Sequence, residues 1–87
     1  MRITIIPSDK CVYVDGKSFS ALDLNQCQIP TNIHALQWDE SFGEIEFSVN
    51  YVDGVIQKPQ NEIIVELPDW ANKALAVWNI ANNENRI

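Results

Sequence analysis

Residues 33–78 read IHALQWDESFGEIEFSVNYVDGVIQKPQNEIIVELPDWANKALAVW, and two different hydrophobic periods follow one another inside them. His34, Leu36 and Trp38 alternate with Ala35 and Gln37. Beyond the turn residues Asp39 to Gly43, Ile45, Phe47, Val49 and Tyr51 alternate with Glu44, Glu46, Ser48 and Asn50. A period of two marks strands with one apolar and one polar face, so this segment predicts a β-hairpin. Farther on, Trp70, Ala74, Val77, Trp78 and Ala81 recur at the spacing of a single helix face, with Leu75 and Ile80 widening the stripe. Pro68 fits the first turn of that helix because its missing N–H is no loss there, and Asp69 places negative charge at the positive dipole end. The helix is expected over about 68–82, with Asn82, Asn83 and Asn85 at its fraying end.

Toward the N-terminus, Arg2 to Ile6 is β-prone and stops at Pro7, and Cys11 to Val14 resumes an extended pattern after the turn residues Ser8, Asp9 and Lys10. Asp15-Gly16 between CVYV and KSF signals a two-residue hairpin, since glycine accepts the positive φ such turns need. Ala21 to Asn32 loses all periodicity and reads as a packed loop punctuated by Pro30. The tetrapeptide Tyr13-Val-Asp-Gly16 returns as Tyr51-Val-Asp-Gly54, predicting another tight turn that leads the second hairpin into a short strand ending before Pro59. The apolar run Ile63, Ile64, Val65 and Leu67 is a last strand or an extended lead-in to the helix. The fold class is α+β: a small antiparallel sheet of two or more β-hairpins packed against one C-terminal α-helix. Residues 1–87 form a single domain, β-rich over 1–67.

Composition narrows the function classes. Hydrophobic residues at 46% and charged residues at 21% lie far from a disordered composition, so a true core is expected. Twelve acidic against six basic residues give a net charge of −6, which repels phosphate backbones and anionic membranes and argues against nucleic-acid binding. No apolar run approaches the ~18–20 residues of a bilayer span, and Pro7, Ser8 and Asp9 interrupt any signal-like h-region. The reading is a protein made in the cytoplasm, with no membrane association.

No group suited to catalysis stands out. His34 is the one imidazole and lies in the apolar register of its strand, where a packed or hydrogen-bonded histidine is expected. Cys11 and Cys27 carry no CxxC, and with one histidine they fall short of a zinc set; ordinary buried or half-buried thiols are expected. Asp39, Glu40, Glu44 and Glu46 cluster without the ligand spacing of a calcium loop. The three glycines, Gly16, Gly43 and Gly54, are each assigned to turns, so no phosphate-cradling loop is present. No cofactor and no metal are expected. The candidate contact surface is the second hairpin: Trp38 beside its turn, the carboxylates Asp39, Glu40, Glu44 and Glu46, and Ser48 and Asn50 on its polar face.

The segments IHALQWDESFGEIEF and KPQNEIIVELPDWANKALAVW, with the opening MRITIIPSDKCVYVDGKSF, resemble a group of small proteins encoded by tailed bacteriophages and prophages of Gram-negative bacteria near their tail-fibre genes. The likeness runs from Ile3 to Trp78, weakest over Asn25 to Thr31, and rests on Trp38, Gly43, Glu46, Phe47, Lys58, Pro59, Asn61, Glu62, Leu67 and Trp78. None of these is a recognised catalytic position. The resemblance implies a non-enzymatic phage product, in the host cytoplasm or built into the virion. It would act through contacts with another tail protein or with itself, as a tail, baseplate or tail-fibre component or an assembly accessory. The alternative is a phage inhibitor of a host defence system that uses its acidic surface as a mimic of nucleic acid.

Overall fold

A computed structural model describes residues 1–84. The described residues form eight strands and one helix: β1 Arg2–Ile6, β2 Cys11–Val14, β3 Lys17–Phe19, β4 Ile33–Asp39, β5 Phe42–Phe47, β6 Asn50–Val52, β7 Val55–Gln57, β8 Glu62–Ile64 and α1 Asp69–Glu84. Six of the strands make one antiparallel sheet in the order β3-β2-β1-β4-β5-β8, and β6 with β7 makes a separate two-stranded sheet. The molecule is therefore α+β, with antiparallel strands and a single C-terminal helix.

Turn chemistry builds the first hairpin. Asp15 and Gly16 both have positive φ, 47° and 91°, as a primed two-residue turn demands. Asp15 also accepts the backbone N–H of Arg2 on Oδ1 at 2.7 Å, tying the turn to the start of β1. Lys10, at φ 51°, closes the short 3-10 turn Pro7–Asp9 that joins β1 to β2.

Alternation then decides which face is buried. Ile3 pairs with Val14 and Trp38, and Ile5 pairs with Val12 and Leu36, so one face of the central strands carries only apolar side chains. Ile3, Ile5, Val12 and Leu36 are completely enclosed. Each contributes about 1.5–3 kcal/mol of transfer free energy by burial. Leu24 and Cys27, from the loop between β3 and β4, and Ala71 and Ala74 of α1 close this face over the sheet.

The helix starts where Pro68 supplies its carbonyl to the N–H groups of Ala71 and Asn72, at 2.9 and 3.2 Å. Ala71 and Ala74 mark its closest approach to the sheet, and Trp70, Leu75, Val77 and Trp78 pack around them. The Trp78 indole N–H donates to the Lys17 carbonyl at 3.1 Å, and its ring meets Phe19 edge-on at 6.0 Å. This clasp covers the edge strand β3.

Five expectations need correction. His34 is exposed, because a register shift between Ile33 and Ala35 turns it out of the apolar row. The second hairpin of the main sheet ends at Phe47, so Val49 and Tyr51 leave the core face for a separate, exposed hairpin. Gly43 is a strand residue, two positions past the turn at Glu40 and Ser41. It is needed because a Cβ there would come within 2.7 Å of the Gln37 carbonyl and 2.8 Å of the Trp38 ring. Ile80 is exposed: six residues after Ala74 it has rotated about 120° from the buried stripe. The helix continues through Asn82 and Asn83 to Glu84, and Asn85 lies outside the described residues.

Candidate interaction surfaces

The apolar face of the six-stranded sheet is covered, and the opposite face is open. Across it, side chains of one cross-strand row run Ser18, Tyr13, Thr4, Gln37, Glu44 and Ile63, fixed by the register of five successive strand pairs. A second row places Arg2 beside Asp39 and Phe42. A shallow groove runs between the two rows, lined by Arg2, Thr4, Tyr13, Gln37, Phe42 and Glu44 among others.

Of the hairpin residues expected to form a contact surface, Glu44 and Glu46 lie on this open face. Their carboxylates are held by side-chain amides: Asn61 Nδ2 donates to Glu44 Oε1 and Gln37 Nε2 to Glu46 Oε2, both at 3.3 Å. Asp39 is half-buried and lies 3.5 Å from Arg2 Nη2, an exposed pair whose coupling solvent weakens. Glu40 occupies the left-handed position of the turn, φ 62°, and accepts from the Met1 amine. That partner is the leading reason the amine's pKa is raised above 8.0.

The other expected residues do not join them. Trp38 is only 9% exposed, its ring packed against Gly43 in the core, so it forms the floor beneath the sheet's open face and presents little surface of its own. Ser48 follows the end of β5, its backbone N–H donating to the Asn32 carbonyl at 2.9 Å. Asn50 belongs to β6 and pairs with Gln57. The single polar face expected from Glu44 to Asn50 is thus split, because the chain leaves the main sheet after Phe47.

The surface missed by sequence reasoning is the β6–β7 hairpin. Its pairs are Asn50 with Gln57, Tyr51 with Ile56 and Val52 with Val55, and its turn residues Asp53 and Gly54 have φ of 51° and 78°. Every residue in it is exposed, including Tyr51 at 70%, Val55 at 61% and Ile56 at 60%. It stands out as an arm from a molecule 53 Å long and 21 Å across its shortest axis. The available signal was the pair of adjacent apolar residues on each side of Asp53-Gly54. Tyr51-Val52 and Val55-Ile56 break strict alternation and put apolar side chains on both faces of so short a hairpin.

A recess at the base of the arm brings together His34, Glu46, Phe47, Ser48, Val49 and Lys58. No hydrogen bond joins the imidazole to Glu46 or Ser48 among the described residues. Both cysteines are free thiols. Burial raises the Cys27 pKa above 9.0, so this thiol is held in its unreactive neutral form. No three His, Cys, Asp or Glu side chains converge among the described residues, and no described helix is long and apolar enough to cross a membrane. No family model, curated protein or solved structure matches this chain.

Proposed function

We propose that this chain is a non-enzymatic phage protein that acts through protein–protein contacts, as a small tail, baseplate or tail-fibre component or as an accessory of their assembly. One observation carries the contact reading. Among the described residues, five of the ten exposed large apolar side chains lie on the β6–β7 arm or directly at its base: Val49, Tyr51, Val52, Val55 and Ile56. Scattered apolar residues are ordinary on a surface, whereas concentration in one segment marks a place that another protein covers. The phage setting is supported by the likeness of the IHALQWDESFGEIEF and KPQNEIIVELPDWANKALAVW segments.

The arm is the principal contact element in this reading, and the open sheet face is a secondary one. The test is a pull-down from phage-infected cells, paired with mass spectrometry of purified virions. Wild-type protein should retain a tail or fibre protein, and a folded Tyr51→Ser/Ile56→Ser variant should lose it. A chain absent from particles and bound to no phage protein would sink the reading.

The second reading, an inhibitor of a host defence protein, is favoured by the placement of Asp39, Glu44 and Glu46 on one open face, where Arg2 is the one cation lining the groove among the described residues. Charge reversal at Glu44 and Glu46 should then abolish binding to a basic host factor. Unchanged binding would remove this alternative.

A further inference from the structure

From the arm's edges, charges and exposed side chains, we infer that the β6–β7 arm pairs with the same arm of a second copy, β6 against β6, to form a continuous four-stranded antiparallel sheet about a two-fold axis at Tyr51. This rests on the reading of the arm as the contact element and names what covers it.

A two-stranded hairpin standing alone in water is marginally stable, and stability comes with further strands. The arm has two free edges, and they are not equivalent. β7 runs directly into Lys58 and Pro59. A charge and a missing N–H are the devices that close an edge to further pairing. β6 is preceded by Ser48 and Val49 and contains no charge, no proline and no bulge, so its edge is unprotected.

The other edges of the molecule are blunted. β3 has three residues, begins at Lys17 and lies under Trp78. β8 begins at the charged Glu62 and ends two residues before Glu66, so charge rather than length sets both edges apart from β6, which is equally short.

Charge admits a second copy at the arm, and the arm's self-complementary register selects it. Two molecules of net charge −6 repel wherever their bodies approach. From Val49 to Gln57 the arm carries a single charge, Asp53, at the tip of its turn. It is the stretch on which two copies meet with least repulsion.

The side chains are self-complementary in this register. With the axis at Tyr51, the strand order β7-β6-β6-β7 sets Ile56, Tyr51, the second copy's Tyr51 and its Ile56 in one cross-strand row, because Tyr51 and Ile56 are already paired within each arm. Asn50 then faces Val52, and no like charges stand opposite each other. The patch is identical on both partners, as a two-fold interface requires.

Sedimentation of the full chain at roughly 100 µM is the first test, a concentration chosen because small interfaces bind weakly. Wild type should sediment at twice the mass of one chain. Tyr51→Lys and Tyr51→Glu should each halve that mass by opposing like charges at the axis, and an equimolar mixture of the two should restore it.

Cross-linking reads the register independently. In a Cys11→Ser background, Tyr51→Cys should form a disulfide-linked dimer under mild oxidation. Val55→Cys should not, since β7 of one copy lies about 14 Å from β7 of the other, beyond the ~7 Å Cα limit of a disulfide. A monomeric wild type, dimers that survive both charged variants, or Val55→Cys linking as readily as Tyr51→Cys would each overturn the proposal. A monomer whose arm variants still lose a phage partner would retain the contact reading and remove only self-pairing.

Discussion

The tetrapeptide Tyr-Val-Asp-Gly occurs at 13–16 and again at 51–54, and the two copies make the same turn in opposite surroundings. Both place Asp and Gly at positive φ, 47° and 91° in the first and 51° and 78° in the second. Yet Val14 is 7% exposed and Val52 is 47% exposed. In the first hairpin β2 pairs onward with β1, which pairs with β4, and loop and helix close over the apolar row. In the second, neither strand finds a further partner strand among the described residues. Turn geometry is thus local, written in two residues, while burial belongs to whatever else the chain brings alongside.

The sharpest way to test that contrast is one substitution made at both valines. Val14→Asp buries an unpaired carboxylate and should destabilise the fold by about 4 kcal/mol or more. Val52→Asp should shift it by no more than about 0.5 kcal/mol, as at an exposed site. Urea denaturation of the two variants checks this, and similar losses would mean that the arm is built into the core.

Next in size is Gly43→Ala. The added methyl must displace the Trp38 ring or the Gln37 carbonyl, at a cost of about 1–3 kcal/mol. The same denaturation reads it, and a neutral result would show that Trp38 repacks freely.

The two turn glycines offer a finer comparison. Gly16→Ala and Gly54→Ala impose similar strain at positive φ, about 1 kcal/mol. The loss should lower global stability in the first case. In the second it should appear only as faster amide exchange within the arm, which hydrogen-exchange mass spectrometry can resolve.

The smallest expected effect separates the two thiols. Burial raises the Cys27 pKa in the folded state, so its contribution to stability is full below pH 9.0 and is lost as pH rises through the folded value. Above that pH, Cys27→Ala should flatten the alkaline fall in stability, and at neutral pH Cys11 should react with a thiol reagent ahead of Cys27. Equal reaction rates would contradict the burial.

The first hairpin, the alternation of β5 as far as Phe47 and the stripe Trp70, Ala74, Val77, Trp78 were legible because each depends on residues near in sequence. So was the turn at Asp53-Gly54. The sheet order was not legible, since pairing β1 with β4 and β5 with β8 joins segments whose patterns fit several partners equally. The exposure of His34 was hidden by one extra residue in the ladder, because a shift of one position exchanges the two faces of a strand. The contact surface divided in the same way. Glu44 and Glu46 were readable as polar partners of a core-facing strand, but the departure of the chain after Phe47 took Ser48 and Asn50 to a different sheet. Gly43 gave no sign of its role, which is set by the ring of a residue across the hairpin.

The central position of β1 shapes how the molecule is made. One edge of β1 closes quickly against β2, but the other waits for β4, and Ile3 meets Trp38 only after 35 further residues have been added. At about 5–20 residues per second of synthesis, that edge stays unsatisfied for roughly 2 to 7 s on a growing chain. During that interval RITII is an apolar β-strand whose only charge is Arg2. Its guard against wrong pairing is therefore mostly temporal, and conditions that stall translation between β2 and β4 should favour aggregation through this strand.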